Sequence, residues 1–145
     1  MYTTLVAMWP LLVGLLGQQP AASSAGPASL NYEFYKTKVQ PIFLAKRPGR
    51  ARCVACHSRA GNNTAFRLQP LSPGSTTWNE EQSRRNFELV QKVVVPGYEG
   101  SKLLTHPLAI AAGGDPNHGG GKHFASQQDP DWLTLKAFVL GETAK

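Results

Sequence analysis

The sequence predicts an all-α chain of a few short helices separated by long loops. Three observations carry this. Apolar residues recur at helical three- and four-residue spacing in separate stretches, each opened by an Asn or Asp able to cap it. No run of alternating apolar and polar residues is long enough for a strand. The 145 residues include 14 Gly and 11 Pro, too many punctuating residues for a tidy bundle.

The first helix runs from Asn31 to about Lys46. Asn31 caps it, Glu33 lies in its first turn, and Tyr32, Tyr35 and Val39 share a face. Pro41 is expected to kink or end it, with Ile42-Phe43-Leu44 continuing beyond. Arg47-Pro48-Gly49-Arg50 reads as a turn, residues 58–78 as polar and turn-rich, and Phe66-Arg67-Leu68 as a short extended piece. A second helix is capped by Asn79 with Gln82 three residues on, a capping box. Phe87, Val90 and Val94 give it an apolar face, and Pro96-Gly97 stops it. A short helix closes at Pro107, and residues 111–128 form a Gly-rich loop carrying His118 and His123. The last helix has Asp129 as cap, Pro130 at its first position and Trp132, Leu135, Phe138 and Val139 as its apolar side, and it ends at Gly141.

The chemistry concentrates in Cys53-Val54-Ala55-Cys56-His57. Cys-x-x-Cys-His is the attachment signature of a c-type haem. Two thiols two residues apart can each form a thioether to one vinyl group of a single haem, and the next imidazole then reaches the iron. Cys53 and Cys56, which bind the cofactor in this reading, are the only cysteines in the chain. His57 is the proximal iron ligand. Two alternatives stand beside it. A redox disulfide across Cys-x-x-Cys belongs with a βαβ pattern, and none is present. A zinc site joining Cys53 and Cys56 to His118 and His123 has four ligands, but the gap between the pairs is far longer than in a compact finger.

The net charge is +6, and it is uneven. No acidic residue lies between Glu33 and Glu80, while Lys36, Lys38, Lys46, Arg47, Arg50, Arg52, Arg59 and Arg67 fall in that stretch. A basic rim would steer an acidic redox partner protein. The other reading is that these cations balance haem propionates and otherwise stay solvated. No nucleic-acid recognition motif accompanies them.

Residues 1–25 read as a signal peptide or N-terminal anchor, residues 26–30 as a linker and residues 31–145 as the haem domain. The apolar run 5–16 has signal-peptide length and is short for a membrane span. It lacks the usual preceding positive charge, since no Lys or Arg occurs before Lys36. The expectation is a periplasmic or otherwise extracytoplasmic protein, with membrane association through residues 5–16 if the segment is retained.

A resemblance adds to this. Tyr35-Lys36-Thr37-Lys38-Val39-Gln40-Pro41-Ile42-Phe43 leading into Cys-x-x-Cys-His, with the later Pro96-Gly97-Tyr98-Glu99-Gly100-Ser101-Lys102-Leu103, resembles the small monohaem cytochrome c domains of planctomycetes and acidobacteria. The likeness extends over most of the chain after residue 31. It implies a cytochrome c-like fold, with helices and long loops around one covalently bound haem c and the last helix packed across the first. In that family a Met before the last helix often binds the iron opposite the proximal His, within Met-Pro-Pro-Gly-Gly-Lys. Here the only methionines are Met1 and Met8, and His118-Gly119-Gly120-Gly121-Lys122 stands in the similar place. His118 therefore ranks first as distal ligand, then His106, then His123. A bis-His haem has no open position, so the expected function is single-electron transfer and not enzymatic catalysis. No acid/base pair, nucleophile arrangement or phosphate loop speaks for an enzyme. The alternatives are a five-coordinate haem sensor or peroxidase-like protein, and a zinc-stapled interaction module.

Overall fold

A computed structural model describes residues 28–61 and 64–144. The calls on residues 1–25 lie outside the described residues. Within them the fold is helical, with no strand and one isolated bridge between Leu108 and Phe124. No helix of the described residues is long and apolar enough to cross a membrane.

The first helical run has three parts: α1 (Tyr32–Phe34), a π-helical segment (Tyr35–Val39) and α2 (Gln40–Leu44). The Asn31 side chain accepts from the Phe34 N–H, as a cap should. Pro41 does not end the run, which continues through α2 to Leu44. The wider π turns shift the hydrogen-bond register, so the Gln40 N–H bonds the Tyr35 carbonyl. Pro41 then falls in the first turn of α2, where its missing N–H costs nothing.

α3 is the single turn Cys53–His57. α4 (Glu80–Val93) starts with the full capping box, the Asn79 carboxamide taking the Gln82 N–H and the Gln82 side chain taking the Asn79 N–H. It ends at Val93, ahead of Pro96, with Val94 already extended. α5 is Lys102–Thr105, and α6 (Pro130–Val139) is capped by Asp129 with Pro130 at its first position.

The core joins the ends of the chain. Phe138 on α6 packs against Phe34 and Tyr35 of the first run, with ring centroids 6.3 and 6.1 Å apart, and Phe87 of α4 closes on Tyr35 at 5.4 Å. Tyr35, Val39, Leu104, Leu135, Phe138 and Val139 are buried, each such apolar side chain contributing roughly 1.5–3 kcal/mol. Trp132 is buried, and its indole N–H donates to the Leu104 carbonyl, tying α6 to α5.

α4 also holds the segment after the cysteine motif. The buried Asn86 carboxamide oxygen accepts the Gln69 N–H at 2.7 Å, and Gln82 donates to the Pro70 carbonyl. Trp78 donates to the Gln69 carbonyl from the other side. Residues 66–70 are thus fixed without belonging to any regular element.

Candidate functional site

One turn of helix sets the geometry of the motif. In α3, Cys53 and Cys56 are three residues apart and His57 is four from Cys53, so all three project from neighbouring positions on one face. That face lines a cavity of about 670 Å³, within the ~300–1,000 Å³ typical of cofactor clefts. Both cysteines and all four histidines border it. Phe43, Phe66, Leu103, Phe124 and Leu135 supply much of its apolar wall.

His57 is held twice by the segment that α4 fixes. Its carbonyl accepts the Leu68 N–H at 2.9 Å, and its ring Nδ1 lies 2.7 Å from the Phe66 carbonyl. A carbonyl can only accept, so Nδ1 carries the proton and donates. Nε2 of the neutral ring then keeps its lone pair. The Phe66 ring packs on the imidazole at 4.8 Å and on Phe43 at 5.3 Å. Burial lowers the His57 pKa below the usual histidine value, against the Phe66 carbonyl bond, and His118 and His106 lower it further. The ring is therefore held in the ligand-competent neutral form.

Burial also pushes the Cys53 thiol up to about 11. Redox-active Cys-x-x-Cys pairs have depressed thiol pKa values, so this thiol does not match a disulfide oxidoreductase.

Across the cavity, His118 sits on a turn with no regular structure around it. The Gly121 N–H returns to the His118 carbonyl, and His118 Nδ1 donates to the Gly121 carbonyl at 2.6 Å. Gly121 has φ +80°, which favours glycine. Gly119 and Gly120 line the cavity without positive φ. The His118 ring centroid lies 6.2 Å from that of His57, with the planes 16° apart.

The other histidines stand differently. His106 is steeply inclined to His118, at 6.1 Å and 81°, and its Nε2 lies 3.3 Å from the Asp115 carboxylate. Lys102 and the Asn117 N–H hold that carboxylate, and together with His106 they depress its pKa to about 2. His123 is 6.0 Å from His118 at 63°. Burial lowers the pKa of both His106 and His123. Among the described residues, only His57 and His118 pair Nδ1 with a backbone carbonyl. Likewise no group of three or more His, Cys, Asp or Glu is gathered closely enough to hold a metal ion.

The basic stretch divides. Arg47 turns inward, its guanidinium 4.7 Å from the Phe124 ring centroid and bonded to Asp129 at 3.3 Å and to Asp131. Lys36 pairs with Glu80 at 2.6 Å. Arg52 borders the cavity, and Lys38, Lys46, Arg50, Arg59 and Arg67 are exposed.

Sequence reasoning missed the Phe66 and Gly121 carbonyls, because a backbone acceptor carries no residue identity. It also missed the Asp115 engagement of His106 and the inward role of Arg47.

The fold and cavity define a class no narrower than a small helical protein with a cysteine- and histidine-lined cleft. No protein-family model matches the chain, and no curated protein or solved structure matches it.

Proposed function

We propose that the chain is an exported monohaem c-type cytochrome, a carrier of single electrons with bis-His ligation. Cys53 and Cys56 hold the haem as thioethers, His57 is the proximal ligand and His118 the distal one. The observation that carries this reading is the pair of near-parallel imidazoles, His57 and His118, 6.2 Å apart, each with Nδ1 given to a carbonyl. Two imidazoles on opposite sides of one metal ion, with metal–nitrogen bonds of ~2 Å, have centroids about 6 Å apart. The hydrogen bond from the far ring nitrogen is the orienting contact that metal-bound histidines use.

When bound, the haem supplies a one-electron iron couple. The protein's residues do the rest. His57 and His118 would hold the iron through their imidazoles, and Phe43, Phe66 and Leu103 would border the haem with apolar surface. Two imidazoles lower the potential relative to a His/Met pair. The exposed cations Arg52, on the cavity border, and Arg50, beside Gly121, would favour an acidic redox partner there.

The second reading, a five-coordinate sensor or peroxidase-like protein, differs only in whether His118 stays on the iron. Its support is that His118 rides on an irregular turn while His57 rides on a helix. No observation among the described residues favours the zinc-stapled module.

A visible spectrum of the exported protein tests the proposal. Sharp α and β bands in the reduced state without added ligand are expected. A broad high-spin spectrum that shifts with CO moves the reading to the sensor. Absence of a Soret band, with no haem mass on the polypeptide, ends it. His118→Ala turns the haem high-spin, while His106→Ala and His123→Ala leave it low-spin.

A further inference from the structure

Resting on that reading, we propose that Lys122 is the positioning residue of the distal ligand: its ammonium pins the turn that presents His118 to the cavity. The loop from His106 to Asp115 closes on itself, since the Asp115 N–H donates to the Thr105 carbonyl at 2.9 Å. The Asp115 carboxylate adds its contact to Lys102 at 2.8 Å and its approach to His106. The His118–Gly121 turn hangs from this closed loop through residues 116–117 on one side. On the other side the tie is Lys122, whose Nζ donates to the His106 carbonyl at 2.9 Å and to the Asp115 carbonyl.

Three features make Lys122 a device and not a surface cation. Its ammonium is partly buried and donates to two backbone carbonyls, so its position is set by directed bonds. The His106 carbonyl is one of the orphan acceptors at the end of α5 and needs such a donor. Immediately before Lys122, Gly121 supplies the carbonyl that orients the His118 ring. Moving Lys122 therefore moves the group that aims the imidazole. Beyond it, the His123 and Phe124 N–H groups both return to the Pro107 carbonyl, which fixes the far end of the loop.

Loss of two charge-assisted bonds raises the population with His118 off the iron by at least about tenfold. The test compares wild type, Lys122→Leu, Lys122→Arg and His118→Ala as exported holoprotein, reading spin state and the rate of CO binding to the reduced form. Expected are a high-spin fraction and CO binding at least about tenfold faster in Lys122→Leu. Added imidazole restores the low-spin spectrum, and Lys122→Arg stays near wild type. Amide exchange at Gly121 rises in Lys122→Leu while exchange at Leu68, beside His57, does not. If Lys122→Leu fails to fold, Lys122→Gln carries the same comparison. A low-spin, CO-inert Lys122 variant beside a high-spin His118→Ala overturns this inference alone. Wild type without haem, or a low-spin His118→Ala, overturns the ligand assignment and the inference with it.

Discussion

His57 rides on a helical turn, and the segment that holds its ring follows within a dozen residues: the Phe66 carbonyl accepts from Nδ1–H and the Leu68 N–H donates to the His57 carbonyl. His118 rides on a loop, and its ring is held by Gly121, three residues away in the same loop. The immediate device is identical, an Nδ1–H to a carbonyl. What lies behind it is not. Behind Phe66 stands α4, through Asn86 and the Gln69 N–H. Behind Gly121 stands not a helix but the Lys122 side chain, bonded to carbonyls of the same loop, together with the return of the His123 and Phe124 N–H groups to the Pro107 carbonyl. If both imidazoles bind the iron as proposed, two rings held by the same local device can thus differ in how readily each lets go.

The largest effect separates the two sides directly. On the proposed reading, His57→Ala removes the ligand next to both thioethers, and the yield of low-spin holoprotein is expected to fall at least about tenfold, since loss even of an orienting partner behind a metal ligand costs that much. His118→Ala keeps the haem mass on the polypeptide and changes only its spin state. Haem-stained gels beside spectra read both. Equal loss of attached haem in the two variants would erase the asymmetry.

Arg47 belongs to neither side and joins both. It precedes the cysteine turn, bonds the N-terminus of α6 and covers Phe124, which borders the cavity on the loop side. Its side chain is 20% exposed, so the ion pairs are only partly screened. Arg47→Ala destabilises the protein by about 2 kcal/mol, read as a shift in the urea midpoint. A change within a few tenths of a kcal/mol would mark Arg47 as an ordinary surface cation.

How much of this the sequence announces follows from distance along the chain. Asn31, Asn79 and Asp129 are legible as caps because a cap needs only its own first turn. The cysteine turn is legible for the same reason, all its parts lying within Cys53–His57. That Pro41 does not stop the run is not legible, because the π register that places it in the first turn of α2 depends on how Tyr35 and Val39 pack, which is a tertiary matter. Arg47 reads as one of eight similar cations, since its partners lie more than 80 residues ahead. The ranking of His118 over His106 comes from a resemblance of the loop. The physical contrast between them, a carbonyl on Nδ1 against a carboxylate beside Nε2, appears only once Asp115 and Gly121 are placed.

Acid sharpens the contrast further. The Asp115 carboxyl is held near 2, below its ordinary 3.8, chiefly by Lys102. A depressed carboxylate stabilises the folded state fully above its unfolded value and loses that contribution as pH falls through the folded one. The loop behind His118 therefore loosens between pH 3.8 and about 2, while the Phe66 carbonyl and the Leu68 N–H that hold His57 carry no carboxylate to protonate over that range. The low-spin spectrum should give way over this range with the haem still covalently attached. In Asp115→Asn the distal side is already loosened at neutral pH and shows no further step. Glu80, lowered by Lys36 and the Tyr32 hydroxyl, also titrates on the acid side, but it reports on α4 and the first helical run.

The smallest effect isolates the comparison most cleanly. Gly61 lies four residues past His57 and Gly121 three past His118, and both have φ +80°. Alanine at either position carries a similar left-handed backbone penalty, about 1 kcal/mol. A Cβ at Gly61 meets nothing within 4 Å, whereas one at Gly121 comes within 3.3 Å of the Arg50 guanidinium. The two variants should therefore lose nearly the same stability in urea. On the proposed reading only Gly121→Ala should speed CO binding, because of the two only Gly121 has its carbonyl on the His118 ring. If Gly61→Ala speeds CO binding as much, backbone strain anywhere near the cavity is enough to free the distal ligand, and the difference between a ligand braced by a helix and one braced by its own loop disappears.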